Sequence, residues 1–116
     1  MKKIIIIGAG AMGSAFAVPC VDNMNDVTIV GTHLEDNLIE TINSNNQIHP
    51  ALKTQLPKEI NFEHFANLQI ILKQDIDLIV CGVSSVGIEW FVKQIFKNYK
   101  NKLPIVLLTK GLSIVD

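Results

Sequence analysis

Short runs of apolar residues alternate along the chain with segments whose apolar residues recur at helical spacing. The runs predict five strands, at residues Lys3–Ile7, 27–30, 60–62, 76–81 and 103–109. The segments between them predict helices at residues 11–23, 34–42, 65–72 and 85–97. The first strand is an uninterrupted apolar run, which is typical of a parallel sheet covered on both faces. We therefore expect an α/β fold, a doubly wound parallel sheet with right-handed crossovers and three αβα layers.

Two features interrupt this pattern. Pro19 falls inside the first predicted helix, where a proline removes one backbone hydrogen bond, and we expect a kink there rather than a break. Residues 43–58 lack a clear period and contain Pro50 and Pro57. This composition predicts a long loop.

The sequence GAGAMG at residues 8–13 carries the strongest chemical signal. The spacing GxGxxG is weak alone, but here it follows a predicted strand and opens a predicted helix, as in a dinucleotide-binding turn. In that setting Gly8 makes the tight turn, Gly10 lets the backbone approach a pyrophosphate, and Gly13 lets the helix pack closely on the strand. The helix N-terminus adds free amides and the positive end of the helix dipole. The sequence therefore predicts a Rossmann-like domain that binds a dinucleotide.

The tip of the second strand normally selects between nicotinamide cofactors, through an acid for the ribose hydroxyl or an arginine for a 2′-phosphate. Here the tip is Gly31, Thr32 and His33, and Glu35 follows only at the start of the next helix. All 10 lysine-plus-arginine residues of the chain are lysine. Thr32 or His33 is expected to hydrogen-bond a ribose or a phosphate, with plain surface turn residues as the alternative. NAD and NADP both stay open.

Two further loops follow predicted strands at the edge where a doubly wound fold binds its ligands. After the fourth strand, Ser84 is expected to contact the cofactor or to cap the next helix, and capping is the simpler reading for Ser85. After the fifth strand, Lys110 is placed to project its ammonium group into the crevice and hold a carbonyl or alkoxide oxygen of a substrate. A solvated loop lysine is the alternative.

Composition narrows the function further. The chain has 116 residues, is 48% hydrophobic and has a formal net charge of −1, which predicts one compact domain with no broad field for nucleic acid or an anionic membrane. No apolar stretch approaches a membrane span. Cys20 and Cys81 are expected to be buried thiols in a reducing cytoplasm. His49 has no partner at metal-ligand spacing, so it is expected to be structural or part of a substrate loop, and no metal site is predicted.

Taken together, these residues resemble the N-terminal cofactor domain of the NAD(P)-dependent glycerol-3-phosphate dehydrogenases. The resemblance is carried by GAGAMGSA at residues 8–15, Gly31-Thr32, the 46–57 segment with His49-Pro50 and Leu56-Pro57, the 82–84 turn, and TKGL at residues 109–112. Many members of the family have proline where Val83 stands. The TKGL segment and the His-Pro loop are more particular to the family than the glycine-rich turn, which many dehydrogenases share.

The resemblance implies reversible hydride transfer between NAD or NADP and dihydroxyacetone phosphate, giving sn-glycerol 3-phosphate for phospholipid synthesis. It implies that Ala11 and Met12 meet the pyrophosphate through backbone amides and that Thr32 or His33 faces the adenosine ribose. Lys110 would lie near both the nicotinamide and the substrate, where it polarises the carbonyl group. A homodimer stays open.

Family members continue into a helical substrate domain, so residues 1–116 are expected to be a cofactor domain that is inactive alone. Two alternatives remain. A ketopantoate reductase has a similar glycine-rich turn but fits less well around Lys110. The chain could also be a complete, non-catalytic nucleotide-binding module, and an apolar surface where a helical domain would dock favours the dehydrogenase instead.

Overall fold

The structure is a computed structural model that describes residues 1–84, 87–98 and 104–108. Its strands are β1 (Lys3–Ile7), β2 (Asp26–Val30), β3 (Ile48–His49), β4 (Thr54–Gln55), β5 (Asn61–Glu63), β6 (Leu78–Cys81) and β7 (Ile105–Leu107). Its α-helices are α1 (Ala11–Asp22), α2 (Asp36–Ser44), α3 (Leu68–Ile71) and α4 (Ile88–Asn98), and one 3-10 turn spans Phe65–Asn67.

The main sheet has five parallel strands in the order β5-β2-β1-β6-β7. The chain builds outward from β1 to β2 and β5, then crosses back to β6 on the other side of β1. Ile7 at the end of β1 is in register with Val30 of β2 and with Cys81 of β6. The loops after these three strands therefore emerge side by side at one edge of the sheet, where the strand order reverses. Ligands of doubly wound folds bind at this position.

The two faces of β1 belong to two separate apolar clusters. Ile4 and Ile6 pack with buried residues of α1 and α2, whereas Ile5 and Ile7 pack with buried residues of α3 and α4. Helices therefore cover both faces of the sheet, which is why the strand needs an unbroken apolar run. This confirms the predicted doubly wound sheet with three αβα layers.

Local details differ from the sequence prediction. The segment predicted as a long loop contains the end of α2 and a small hairpin in which Ile48 pairs with Gln55 and His49 with Thr54. The helix predicted at residues 65–72 is only a 3-10 turn followed by the four-residue α3. Helix α1 continues through Pro19 without a break. Parts of the predicted helix at 85–97 and of the strand at 103–109 lie outside the described residues.

Candidate functional site

The glycine-rich turn begins at Gly8, whose backbone has a φ of +111°. Its amide donates a hydrogen bond to the carbonyl oxygen of Val30 over 2.8 Å, so the turn continues the pairing of β1 with β2. A Cβ added at Gly8 would lie 2.8 Å from the carbonyl carbon of Gly82, in the loop after β6. Both the conformation and the lack of space therefore require glycine here.

The other two glycines of the motif have contrasting surroundings. A Cβ at Gly13 would lie 2.7 Å from the carbonyl oxygen of Gly8, because α1 packs directly onto the turn. A Cβ at Gly10 would have no described atom within 4 Å. At Gly8 and Gly13, the missing side chain leaves room for neighbouring backbone atoms of the protein. Gly10 instead faces open space, as expected of the glycine that a ligand approaches.

Unpaired backbone amides surround Gly10. Gly10 is the N-cap of the 12-residue helix α1, no side chain caps this helix, and its first backbone bond runs from the amide of Ser14 to the carbonyl of Gly10 over 3.0 Å. Within the described residues, the amides of Gly10, Ala11 and Met12 donate to no protein atom. A helix N-terminus of this kind favours an anionic group such as a phosphate.

A cleft of about 510 Å³ lies beside Gly10 at the carboxyl edge of the sheet. It is lined by Gly10, Thr32, His33, Leu34, Glu35, Gly82, Val83, Ser84, Gly87 and Trp90. The structure thus brings four of the sequence-predicted site residues to one cleft: Gly10, Thr32, His33 and Ser84. Ala11, Met12 and Gly13 follow in the first turn of α1, and the side chain of Met12 is partly exposed.

Three rings pack against one another beside the cleft. The His33 ring centroid lies 5.1 Å from that of Trp90 and 6.0 Å from that of Phe65, and the two aromatic rings are 5.5 Å apart. His33 and Trp90 both line the cleft. The faces or edges of these two rings could contact a planar heterocyclic ring.

Two side chains, Glu35 and His49, hold the turn through contacts that the sequence did not predict. One oxygen of Glu35 accepts hydrogen bonds from the amides of Ala9 and Thr32, both over 2.9 Å. His49 is 1% exposed, and its Nε2 lies 2.9 Å from the carbonyl oxygen of Ala9. The two contacts with Ala9 join residues 26 and 40 positions apart, so no local pattern reveals them. The contact between Thr32 and Glu35 spans only three residues. The expectation of a structural role for His49 fits this burial.

Of the remaining candidate residues, two lie outside the described residues and two are buried cysteines. Lys110 and Ser85 lie outside the described residues, so the predicted catalytic role of Lys110 stays a prediction. Burial raises the pKa of the Cys20 thiol, and it also raises the pKa of the Cys81 thiol against the opposing effect of a backbone hydrogen bond at Val83. Neither thiol is therefore poised as a nucleophile at neutral pH.

Two kinds of feature are absent from the described residues. In residues 1–84, 87–98 and 104–108, no cluster of three histidine, cysteine or acidic side chains is placed to bind a metal. No helix in the same part of the chain is long and apolar enough to cross a membrane.

The parallel sheet, its strand order and the glycine-rich turn before α1 define a Rossmann-type nucleotide-binding fold. Residues 3–115 match the family model described as NAD-dependent glycerol-3-phosphate dehydrogenase N-terminus. The chain belongs to this family.

Individual proteins agree with the family match. The chain is 35% identical over 113 residues to the NADP(+)-dependent glycerol-3-phosphate dehydrogenase of Archaeoglobus fulgidus, covering 97% of this chain and 32% of that protein. Its fold is similar to the crystal structure of glycerol-3-phosphate dehydrogenase from Coxiella burnetii, with a TM-score of 0.79 and 19% identity over 95% of this chain and 33% of that one. It also resembles a putative 2-dehydropantoate 2-reductase from Enterococcus faecalis, with a TM-score of 0.63 and 24% identity over 93% of this chain and 33% of that one. The chain spans about a third of the length of the relatives it matches.

Proposed function

We propose that residues 1–116 form the cofactor-binding part of a glycerol-3-phosphate dehydrogenase, which transfers hydride between NAD(P)H and dihydroxyacetone phosphate to give sn-glycerol 3-phosphate. The observation that carries this proposal is the position of Gly10. Gly10 faces open space, begins a helix whose first amides are unpaired, and lines the same cleft as Thr32, His33 and Ser84. Family membership adds the reaction class, because the curated relatives are named for this reaction.

The residues of the cleft fit a dinucleotide. The free amides of Gly10, Ala11 and Met12 would bind the pyrophosphate at the start of α1. Thr32 and His33, at the end of β2, would face the adenosine ribose, and the adenine would lie towards the ring of Trp90. Ser84, after β6, would approach the cofactor from the other side of β1. NAD and NADP both fit this set.

The chemistry needs one cation near the reacting carbonyl. A nicotinamide cofactor held in the cleft would supply or accept the hydride, and the Lys110 ammonium would donate a hydrogen bond to the carbonyl oxygen of the substrate. Charge develops on that oxygen as the alkoxide forms, so a positioned ammonium stabilises the transition state more than the ground state. This role is assigned to Lys110 by its place in the TKGL segment at residues 109–112.

Three finer assignments complete the proposal. The product would serve phospholipid synthesis, and the free, buried thiols Cys20 and Cys81 favour a reducing compartment such as the cytoplasm. The partners would be small molecules, with a homodimer as the assembly. The family match to glycerol-3-phosphate dehydrogenases supports this reaction over that of a ketopantoate reductase.

The test is an assay of the full-length protein with dihydroxyacetone phosphate, following loss of the reduced-nicotinamide absorbance with NADH and with NADPH. Lys110→Ala should lower kcat by about 10²–10³-fold, the usual loss when one group that stabilises the oxyanion is removed. Affinity for the cofactor should change little. Lys73→Ala, at an exposed lysine after α3, is the matched control and should keep full activity. Turnover of 2-dehydropantoate in place of dihydroxyacetone phosphate would contradict the proposal.

A further inference from the structure

We propose that Glu35 and His49 are positioning residues of the nucleotide site, which fix the two peptide groups around Ala9 and thereby aim the Gly10 amide at the ligand. This inference rests on the proposed binding of a dinucleotide. Neither residue is in the glycine-rich motif, and each reaches the turn from a different element. Glu35 is the N-cap of α2, and His49 lies in the short strand β3.

Glu35 holds the first of these two peptide groups. Its Oε1 accepts hydrogen bonds from the amide of Ala9 and from the amide of Thr32, each over 2.9 Å. Hydrogen bonds to a carboxylate are stronger than those to a neutral acceptor. The same oxygen therefore ties the turn after β1 to the loop after β2. Because the Ala9 amide already donates to Glu35, the first backbone amide available to a ligand is that of Gly10.

His49 holds the second peptide group. The amides of Ala51 and Leu52 donate to its Nδ1 over 3.1 and 3.4 Å, which places a lone pair on that nitrogen. The ring proton is then on Nε2, and Nε2 donates to the carbonyl oxygen of Ala9 over 2.9 Å. The hydroxyl of Ser14 donates to the same oxygen over 3.1 Å.

The Ala9 carbonyl and the Gly10 amide belong to one planar peptide group. In a trans peptide the C=O and N–H bonds point in opposite directions, so fixing the carbonyl also fixes the amide. Gly10 has no side chain to restrict the turn and no described atom within 4 Å of where a Cβ would be. Its orientation therefore has to come from outside the motif, and Glu35 and His49 supply it. Pre-organisation of this kind raises ligand affinity.

Two substitutions at His49 separate the contact with Ala9 from the folding of the hairpin. The Gln side-chain nitrogen reaches the position of Nε2, so His49→Gln keeps a donor for Ala9. The Asn side-chain oxygen reaches the position of Nδ1, so His49→Asn keeps the acceptor for Ala51 and Leu52 but loses the donor. At Glu35, Glu35→Gln keeps an acceptor oxygen and Glu35→Ala removes it. The matched controls are Glu40→Ala and His64→Ala, a carboxylate–imidazole pair 2.9 Å apart that joins α2 to the residue after β5.

The experiment is calorimetric titration of the full-length protein and these variants with NADH and with NADPH. We expect His49→Asn and Glu35→Ala to weaken binding by about tenfold or more, while His49→Gln and Glu35→Gln stay within about threefold. The controls should bind as the unsubstituted protein does. Thermal denaturation identifies any variant that fails to fold, and the His49→Asn and His49→Gln pair then carries the comparison. In nitrogen–proton correlation spectra, the Gly10 amide resonance should move in His49→Asn and keep its place in His49→Gln.

The outcomes separate the two claims. If the unsubstituted protein is folded and binds neither cofactor, the proposed function fails. If it binds a cofactor and His49→Asn binds as tightly as His49→Gln, or Glu35→Ala binds as tightly as the unsubstituted protein, the positioning role is wrong and the function stands. A loss of affinity in Glu40→Ala or His64→Ala equal to that in Glu35→Ala would also overturn the positioning role, because the effect would then be general.

Discussion

The glycine-rich turn at residues 8–13 and the hairpin segment at residues 45–58 both contain positive φ angles, yet they achieve them differently. In the turn, the residue is Gly8, at +111°. In the hairpin segment, Asn46, Gln47 and Lys53 have φ angles of 53°, 60° and 54°. The three angles of the hairpin segment fall in the left-handed helical region, which residues other than glycine enter at a moderate energetic cost. The φ of +111° at Gly8 lies outside that region, where a side chain is strongly disfavoured. The turn therefore demands one residue type, and the hairpin segment does not.

The two regions also differ in what holds them. The turn is compact because side chains are absent, so that Gly8 and Gly13 can contact backbone atoms. The hairpin segment is held by side chains: Leu56 is buried in the core, and the side-chain Nε2 of Gln47 donates to the carbonyl oxygen of Pro57 over 2.7 Å. A constraint on residue type can be read from a sequence, whereas a set of long-range side-chain contacts cannot.

The largest effect is expected at Gly8. Gly8→Ala introduces both a disfavoured φ and a Cβ 2.8 Å from the backbone of Gly82, and we expect it to lower the free energy of unfolding by about 3 kcal/mol or more. Gly10→Ala should cost less than about 1 kcal/mol, because Gly10 has a φ of −65° and open space around it. Urea unfolding measures both. Equal losses of unfolding free energy in the two variants would contradict the proposed difference between the two glycines.

A smaller loss is expected in the hairpin segment. Leu56 is 2% exposed and packs in the cluster on the α1 side of the sheet, so Leu56→Ala should lower the free energy of unfolding by about 2–3 kcal/mol. The control is Leu34→Ala, at a leucine 82% exposed, which should stay within about 0.5 kcal/mol of the unsubstituted protein. Urea unfolding of the two variants side by side makes the measurement. A Leu56→Ala variant as stable as Leu34→Ala would show that this segment is not held by the core.

The smallest expected effect is an increase in the free energy of unfolding. Lys53 is exposed and has a φ of 54°, so Lys53→Gly relieves its backbone strain and should raise the free energy of unfolding by about 0.5 kcal/mol after the entropy cost of glycine. Lys58→Gly, at an exposed lysine of the same segment without a positive φ, should lower it by a similar amount. Thermal denaturation of the pair tests the sign. A loss in both variants would mean that the left-handed backbone at Lys53 carries no strain.

The sequence predicts the parts of the molecule that depend on local pattern. The alternation of apolar runs with helix-period segments predicted the sheet and its layers, and the spacing of the glycines after β1 predicted the turn. The same reasoning missed the hairpin, because its strands are two residues long and carry no period. The contacts of Glu35 and His49 with Ala9 were also not predicted, because only the folded sheet brings these residues together. For Lys110, the sequence is still the only basis for its role.

The central claim is that the open space at Gly10 is a dinucleotide site, and one comparison tests it most directly. Gly10→Val should fold normally, since its Cβ meets no described atom, but its side chain would stand where a pyrophosphate approaches. Calorimetric titration with NADH and NADPH should show saturable binding to the full-length protein and none to Gly10→Val, with the two proteins equally stable in urea. Equal binding by both proteins would contradict the account, because the ligand would then bind elsewhere.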